Sequence, residues 1–312
     1  MASAFETALI ADDPAALRAC AKADLHAHAV GSGNRAFIKA RSGVDIAPVG
    51  AALRSMDEMH DWYGRNIGTL FDGVEGRAFG LEAAFVQARE DGVSRIELGD
   101  DCWVITQGYA SAEDVVRRQA AVHRATAPDV EWLRLVGMSR HCPVAAIDRW
   151  LSPFLELKFY DSVDLSGDEL AQPIGRFVPL YAKAKAAGLR LKAHVGEWGT
   201  ADDVWRAVEL LELDEVQHGI AAADDPKVMM ALARSGIRVN VCPTSNLKLG
   251  RVDSLARRPI RRLFDAGVKV TVNTDDVLIF GSSLSEEFLA LHRCGLFTAA
   301  ELDVIRMNGL RD

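Results

Sequence analysis

The amino-acid sequence predicts an α/β fold, and within that class a (β/α)8 TIM-type barrel with extra helices inserted after strand one. Short apolar runs rich in β-branched residues alternate with longer amphipathic stretches such as "AEDVVRRQAAVHRAT". Glycine or aspartate turns precede many of these runs, as in "AAGLRLKAH" and "DAGVKVTVN", and such junctions are typical of a parallel sheet. Eight strands with helical crossovers over roughly 250 residues favour a barrel over the alternative, a doubly wound sheet.

The eight predicted strands are short segments in which apolar residues cluster between turn residues. In chain order they cover residues 23–28, 93–98, 132–137, 154–159, 189–194, 215–218, 237–242 and 268–274. Amphipathic stretches such as "RFVPLYAKAKAAG" and "DDVWRAVELLEL" lie between most of them. Their helical period predicts an outer ring of helices that pack one face on the sheet.

A longer gap separates the first two predicted strands. Between Gly31 and Asp91 the chain contains the glycine-rich loop "GSGN" and then helical patterns such as "SMDEMHDWYGRNIGTLF". One additional pair of helices over the barrel mouth accounts for this length. We therefore predict a single domain over residues 1–312, in which residues 29–92 supply lid helices.

The composition excludes several classes of partner. The formal net charge is −8 and no basic run stands out, which argues against nucleic acid. No window of 18 consecutive apolar residues exists, which argues against a membrane span. Glu6, Asp12 and Asp13 stand where a signal peptide would have a basic and an apolar region. Since the five cysteines are odd in number, widely scattered and form no C-x-x-C, we expect reduced thiols and a cytoplasmic location.

Side chains that can bind a metal follow several predicted strands at their carboxyl ends, the edge where barrel enzymes build their sites. They are His26, His28, His194, His218, Asp275 and Asp276. Residues two apart on a strand face one side, so His26 and His28 point together into the barrel mouth. His194 and Asp275 can complete a site with nitrogen and oxygen ligands. An isolated H-x-H pair fits a hydrogen-bonded core equally well, but the other strand ends favour a metal.

Two carboxyl groups have properties suited to proton transfer. Glu197 follows Gly196, a residue that lets the chain turn close to a flat ligand. A carboxyl beside apolar walls and other acids tends to stay protonated. Asp275 and Asp276 are adjacent, so at a strand end one can face a metal and the other a substrate. Taken alone, the "DD" pair is more typical of a helix cap or a turn.

Six motifs, in this order, resemble the adenosine deaminase branch of the amidohydrolase superfamily: "DLHAHAVG", "DLSGDE", "HVGE", "QHGI", "CPTSN" and "NTDD". H-x-H is shared by the whole superfamily, whereas "HVGE" with "CPTSN" and "TDD" is specific to this branch. The resemblance implies a barrel enzyme with one Zn²⁺ per chain. It also implies hydrolytic release of ammonia from a 6-aminopurine base, nucleoside or derivative.

The resemblance further implies a role for each matching residue. The zinc ligands would be His26, His28, His194 and Asp275, and zinc lowers the pKa of a bound water to about 7. His218 would lie beside that water as a base or an electrostatic stabiliser. Asp276 would orient the water and shuttle its proton. Glu197 would donate a proton to the purine nitrogen N1, and Gly167 would offer its backbone N–H to another ring nitrogen.

Two other functions fit parts of the pattern. Some amidohydrolases bind two metals bridged by a carboxylated lysine on strand four, and Lys158 lies in the predicted fourth strand. In such an enzyme His194 and His218 would both be ligands, acting on another C–N or ester bond. A non-catalytic purine-binding barrel is the second alternative, although it would not require Glu197 or Asp276. Zinc deaminases with a P-C-x-x-C signature are excluded, because no C-x-x-C exists here.

The first motif departs from the family pattern. Adenosine deaminases generally have H-x-H-L-D-G and adenine deaminases H-x-H-L-E-G, whereas this chain has "HAHAVG" with Val30 in the acidic position. Losing a charge-assisted hydrogen bond to a sugar hydroxyl costs about 1.5–3 kcal/mol, so plain adenosine is expected to be a poor substrate. The segment "GSGNR" is interpreted as a solvated loop, with Arg35 as an alternative contact for an anionic substituent. "CPTSNLKLG" is somewhat similar to the adenine-type enzymes.

The remaining histidines have weaker signals. His60, His123 and His292 lie in helical patterns and are predicted to be surface or packing groups. His141 follows the third predicted strand and is a secondary site candidate.

Overall fold

The computed structural model describes residues 2–255 and 259–311 and confirms the barrel. Eight parallel strands pair in strict chain order from β1 to β8. An isolated parallel bridge between Ala27 and Asp275 brings the last strand back to the first. The strands are β1 Lys22–His28, β2 Val93–Asp101, β3 Glu131–Ser139, β4 Ser162–Ser166, β5 Arg190–Val195, β6 Glu215–His218, β7 Arg238–Val241 and β8 Lys269–Val272.

Fifteen α-helices occur in the described residues, most of them between strands on the outside of the barrel. They are α1 Ala4–Ile10, α2 Pro14–Arg18, α3 Arg35–Ser42, α4 Met56–Asn66, α5 Gly73–Glu90, α6 Ala112–Thr126, α7 Val144–Glu156, α8 Val178–Ala186, α9 Ala201–Leu211, α10 Pro226–Ser235, α11 Pro243–Lys248, α12 Pro259–Asp265, α13 Val277–Phe280, α14 Leu284–Arg293 and α15 Ala299–Leu310. None of the helices in this part of the chain is long and apolar enough to cross a bilayer.

Helix α9 illustrates how local sequence sets these elements. Thr200 and Asp203 form a capping box, which satisfies backbone N–H groups at the helix start. Val204, Val208 and Leu211 then recur every three or four residues and are buried. The helix therefore begins at a polar cap and packs its apolar face inward.

The fourth strand was predicted wrongly. Residues 154–159 were expected to form it, but Phe154 lies in α7 and the strand is Ser162–Ser166. The run "PFLELKF" is more apolar than "SVDLS", so hydrophobicity pointed to the helix end instead of the strand. Lys158 consequently lies in an exposed turn with a φ of 49°, outside the sheet.

The barrel interior contains charge below the strand ends. Lys192 of β5 contacts Glu97 of β2, across the barrel, and its Nζ lies 2.7 Å from Glu215 Oε2. Asn240 Nδ2 donates to the same Glu215 oxygen at 2.8 Å. All four side chains are buried. This polar layer replaces the branched aliphatic side chains that usually fill such a barrel, and it lies directly beneath the histidines of β1 and β5.

Helices α3 and α4 are the extra helices after strand one. They share a separate apolar cluster with residues that follow β7 and β8. Its buried members include Ile38, Trp62, Phe71, Leu249 and Leu278. Since Leu249 and Leu278 lie beyond the carboxyl ends of their strands, the cluster sits at the barrel's carboxyl end.

Candidate active site

The four residues predicted to bind a metal lie together at the carboxyl ends of β1, β5 and β8. His26 Nε2 is 3.0 Å from His194 Nε2 and 3.7 Å from Asp275 Oδ1. His28 Nε2 is 3.2 Å from the same Asp275 oxygen. Nitrogen and oxygen ligands lie about 2.0–2.2 Å from zinc, so two ligands of one ion are at most about 4.4 Å apart. These separations fit that limit.

The histidine tautomers also fit a cation. His26 Nδ1 lies 3.4 Å from the Asn240 carbonyl, which can only accept, and His194 Nδ1 lies 2.9 Å from Asp164 Oδ2. Protons on both Nδ1 atoms leave lone pairs on the two Nε2 atoms, which face each other at 3.0 Å. Such facing lone pairs repel unless a cation lies between them. A carboxylate behind a histidine is the usual support for a metal ligand.

The local charges likewise favour a cation here. Burial lowers the pKa of His28, but Asp276 and Asp275 outweigh it and raise that pKa to about 10. Burial raises the pKa of Asp275, but the surrounding histidines outweigh it and hold that pKa far below its ordinary value. Negative charge is therefore retained at the centre of the cluster.

Asp275 and Asp276 enter the mouth together because the backbone turns between them. Asp275 has a φ of 60°, a left-handed conformation that breaks strand alternation. Ser245 Oγ donates to Asp275 Oδ2 at 2.6 Å and fixes the carboxylate. Asp276 packs against Gly31, where an added Cβ would lie 1.4 Å from Asp276 Oδ1. Burial is the main cause that raises the pKa of Asp276, to about 7.

Glu197 and His218 face each other beside the cluster of candidate metal ligands. His218 Nε2 lies 3.5 Å from Glu197 Oε1 and 3.9 Å from Asp275 Oδ2. Asn246 Nδ2 lies 3.1 Å from His218 Nδ1, so the amide donates and the ring proton belongs on Nε2. Burial lowers the pKa of His218 to about 3, which keeps the ring neutral.

The Glu197 carboxyl has the properties of a proton donor. Burial, Asp275 and Glu169 raise its pKa well above the ordinary value. Its Oε1 has no hydrogen-bond partner within the described part of the chain, although it is buried. A protonated carboxyl with an unpaired oxygen can donate to a bound ligand.

Gly167 lies immediately after β4, with a φ of 84°. An added Cβ would meet His141 Nδ1 at 2.9 Å, so His141 lies beside it. The ring of His60, on α4, is 6.1 Å from that of His141. The secondary candidate His141 therefore lies close to the predicted substrate-binding glycine, and His60 reaches it from the inserted helices.

Four supporting residues were not assigned from sequence, although all lie inside the six motifs. Asp164 supports His194, Ser245 and Asn246 hold Asp275 and His218, and Glu169 binds the backbone of the Glu197 loop. Their positions inside the motifs were the one sequence signal that could have identified them. Their partners lie on other strands, so sequence spacing alone did not identify them.

Residues 31–34 of the "GSGNR" segment are buried and Arg35 is partly buried, so the interpretation of this segment as a solvated loop was wrong. Ser32 Oγ donates to the Asp275 carbonyl at 2.9 Å and ties β1 to the end of β8. Asn34 caps α3. Arg35 Nη2 donates to the carbonyls of Val277 and Leu278, which occupies the guanidinium with backbone of α13.

Val30 joins the apolar cluster of the inserted helices. Its Cγ1 would lie 3.0 Å from a Cβ placed on Gly80, and it packs with the group that contains Phe71. The loop after β1 therefore has an apolar side chain where the family pattern has an acid.

Comparison with known proteins gives consistent matches. The profile of the family described as adenosine deaminase matches residues 82–312. The putative adenosine/adenine deaminase of Treponema pallidum (strain Nichols) is 33% identical over 288 residues, covering 91% of this chain and 95% of that protein. An adenine deaminase of Albidiferax ferrireducens is 32% identical over 289 residues, covering 88% of this chain and 83% of that protein.

The fold has a solved counterpart. The crystal structure of an adenine deaminase from Arthrobacter aurescens superposes with a TM-score of 0.81 at 26% sequence identity. The match covers 93% of this chain and 92% of that one.

Proposed function

The chain belongs to the adenosine deaminase family and is a hydrolytic deaminase, and from that premise we propose that it releases ammonia from a 6-aminopurine base, nucleoside or derivative. The observation that carries the proposal is the buried Glu197 carboxyl, with raised pKa and an unpaired oxygen, 3.5 Å from His218. This group is poised to protonate a ring nitrogen at neutral pH. An ordinary exposed glutamate would be ionised there.

We propose one zinc ion per chain, held by His26, His28, His194 and Asp275. The short nitrogen–nitrogen and nitrogen–oxygen separations and the facing lone pairs support this donor set. When bound, zinc acts as a Lewis acid and lowers the pKa of a water ligand from 15.7 to about 7.

The chain's own residues then divide the remaining work. Glu197 gives its proton to N1, which makes the adjacent C6 electrophilic, and the Gly167 N–H holds another ring nitrogen. Asp276 takes a proton from the attacking water, helped by its pKa of about 7. Neutral His218 donates its Nε2–H toward the developing negative oxygen. The water oxygen bonds to C6 and Asp276 passes the proton that it took to the amino group. The C6–N bond then breaks and ammonia leaves. The C6 hydroxyl gives its remaining proton back to Glu197, so the product has a C6 carbonyl and an N1–H and both acids return to their starting states.

The binuclear alternative loses its bridging group. Lys158 lies in the exposed turn after α7, outside β4. The polar side chain that β4 directs to the cluster is Asp164, which is engaged by His194. A barrel that only binds purines would not require a protonated Glu197 or a second acid such as Asp276.

We propose that the substrate has an N9 substituent other than plain ribose, or none. Val30 contributes an apolar surface where the family pattern has an acid. The name of one relative, adenine deaminase, agrees with a base as substrate, whereas the name of the other, putative adenosine/adenine deaminase, includes both base and nucleoside. We also propose that residues 29–92 act as a lid within one domain. The five free cysteines support a reducing, cytoplasmic location.

The test is ammonia release by purified zinc-loaded protein from adenine, adenosine and 6-aminopurines with larger or charged N9 groups. We expect turnover of at least one of them, and metal analysis near one zinc per chain. The Glu197→Gln variant should keep its zinc and lose about 10²–10⁴-fold in kcat. No ammonia release from any compound of the panel would contradict the proposed reaction. Near-normal turnover by the variant would show that Glu197 is not the proton donor.

A further inference from the structure

The carboxylate of Glu169 lies under the loop that carries Glu197. Its Oε1 accepts the N–H of Gly196 at 2.7 Å. Its Oε2 accepts the N–H groups of Glu197, Trp198 and Gly199 at 3.1, 2.7 and 3.1 Å. The residue is only 3% exposed. One buried carboxylate thus binds four consecutive backbone donors, each through a charge-assisted bond about twice as strong as a neutral one. We call this arrangement of the Glu169 carboxylate and the N–H groups of residues 196–199 the clamp.

Two glycines allow residues 196–199 to adopt the conformation in which they surround the Glu169 carboxylate. A Cβ on Gly199 would lie 2.5 Å from Glu169 Oε1. Gly196 has a φ of 73°, and a Cβ there would lie 2.3 Å from Val204 Cγ2. A side chain at position 199 would push the backbone away from Glu169, whereas a side chain at position 196 would collide with Val204. The contact with Glu169 therefore requires the second glycine of "HVGEWG", and the first is required by its positive φ and by Val204.

Glu169 is itself held on a rigid support. Gln172 Nε2 donates to the carbonyls of Arg140 and Cys142 at 2.6 and 2.8 Å, and Arg140 Nε donates to the Gln172 carbonyl at 2.9 Å. These bonds tie the loop after β4 to the end of β3. The position of Glu197 is consequently set by two neighbouring strands as well as by β5.

We propose that Glu169 is a positioning residue for deamination, which fixes the backbone of residues 196–199 so that the Glu197 carboxyl faces the purine ring. The proposal rests on the proposed function. The negative charge of Glu169 acts in the same direction, since it favours the neutral, proton-donating form of Glu197. The hydrogen bonds of Glu169 to this loop all come from backbone N–H groups, so its effect reaches the substrate through Glu197.

The experiment compares Glu169→Ala, Glu169→Gln and Gly199→Ala with Asp168→Asn as the control. Asp168 is the neighbouring acid, and among the described residues its carboxylate accepts a hydrogen bond only from the nearby N–H of Leu170. A misplacement of about 1 Å costs about 10²-fold in rate, so we expect kcat to fall about 10²-fold in the three clamp variants. KM, zinc content and cooperative thermal unfolding should stay close to wild type, and Asp168→Asn should match wild type throughout. Gly199→Ala leaves the Glu169 charge in place and tests the geometry alone.

A double-mutant cycle separates this role from a general structural one. Placed in the Glu197→Gln background, Glu169→Ala should cause little further loss of kcat, because the group that it positions is already gone. Multiplicative losses, or clamp variants with wild-type kcat, would overturn the proposal.

Amide hydrogen exchange tests the clamp without any activity. Residues 196–199 should be protected in wild type and exchange faster in both Glu169 variants, while β5 stays protected. Unchanged exchange of these amides overturns the clamp even in an active enzyme. Protected amides in a wild-type protein that deaminates no aminopurine overturn the proposed function, and the positioning role with it.

Discussion

Replacing Gly31 by alanine should displace the Asp276 carboxylate and leave the candidate metal ligands in place. The added Cβ would lie 1.4 Å from Asp276 Oδ1, whereas ordinary contact begins at 3.4 Å. About 2 Å of movement is therefore needed. The backbone at Gly31 cannot easily supply it, since its N–H donates to the His28 carbonyl at 3.1 Å and its carbonyl accepts from Leu278 N–H at 2.8 Å.

The expected loss follows from that displacement. A 1 Å misplacement of a reacting group costs about 10²-fold, so Gly31→Ala should lower kcat by at least about 10²-fold. Asp275 is held separately by Ser245 and by the bond from Ser32 to its carbonyl. Zinc content should therefore stay near one per chain, and the loss should appear in kcat.

The assay is steady-state ammonia release on the best substrate, with metal analysis of the same sample. Gly175→Ala is the matched control, because its Cβ would meet only Leu210 Cδ1, at 3.9 Å. That variant should behave as wild type. A Gly31→Ala protein that keeps its zinc and turns over within threefold of the control would refute the reasoning, since it would show that the position of Asp276 does not matter.

Three further predictions concern metal affinity, pH and specificity. Asp164→Asn should weaken zinc binding about 10–100-fold, because Asp164 supports His194, and chelator competition that gives an unchanged Kd would contradict this. Burial raises the pKa of Glu287 to about 7, so the stability that its neutral form contributes is complete below 4.5 and is lost as pH rises to about 7. The stability of Glu287→Gln relative to wild type should therefore rise across that pH window, by a few kcal/mol in free energy of unfolding at most, and its melting temperature should rise relative to that of wild type. A difference between the two proteins that does not change with pH would exclude Glu287 as the cause. Val30→Asp should raise kcat/KM for adenosine relative to adenine, whereas a wild-type protein that already prefers adenosine tenfold would refute the argument from Val30.

Strand positions were predictable where apolar, β-branched residues are bounded by turns. The segments that became β5 and β7 follow glycine turns and alternate with clear amphipathic helices. Strand β4 fails this rule because its short sequence, "SVDLS", carries Asp164 toward the cluster. This polar residue lowers the hydrophobicity of the strand, so a search for hydrophobic runs selected the end of α7 instead.

The groups that meet in the candidate site were more predictable than the contacts that hold them. Histidines and carboxylates at strand ends converge because a parallel barrel places all those ends at one edge. Glu169 makes its contacts with backbone N–H groups about 30 residues away, and Asn246 with a ring 28 residues away. Such contacts leave no period in the sequence, since any nearby loop residue of suitable length could make them.

Backbone strain explains how two adjacent acids come to share one site. Among the described non-glycine residues with positive φ, His218 and Asp275 both lie at the cluster. Left-handed backbone at such residues costs of order 1–3 kcal/mol each and persists only where surrounding contacts impose it. At Asp275 those contacts are the hydrogen bonds from Ser32 and Ser245, and the conformation that they impose turns Asp276 into the mouth beside Gly31. Strand alternation alone would send one of the two carboxylates outward. The buried "GSGN" loop therefore has a direct part in assembling the site, because Ser32 stabilises the strained turn and Gly31 leaves room for Asp276.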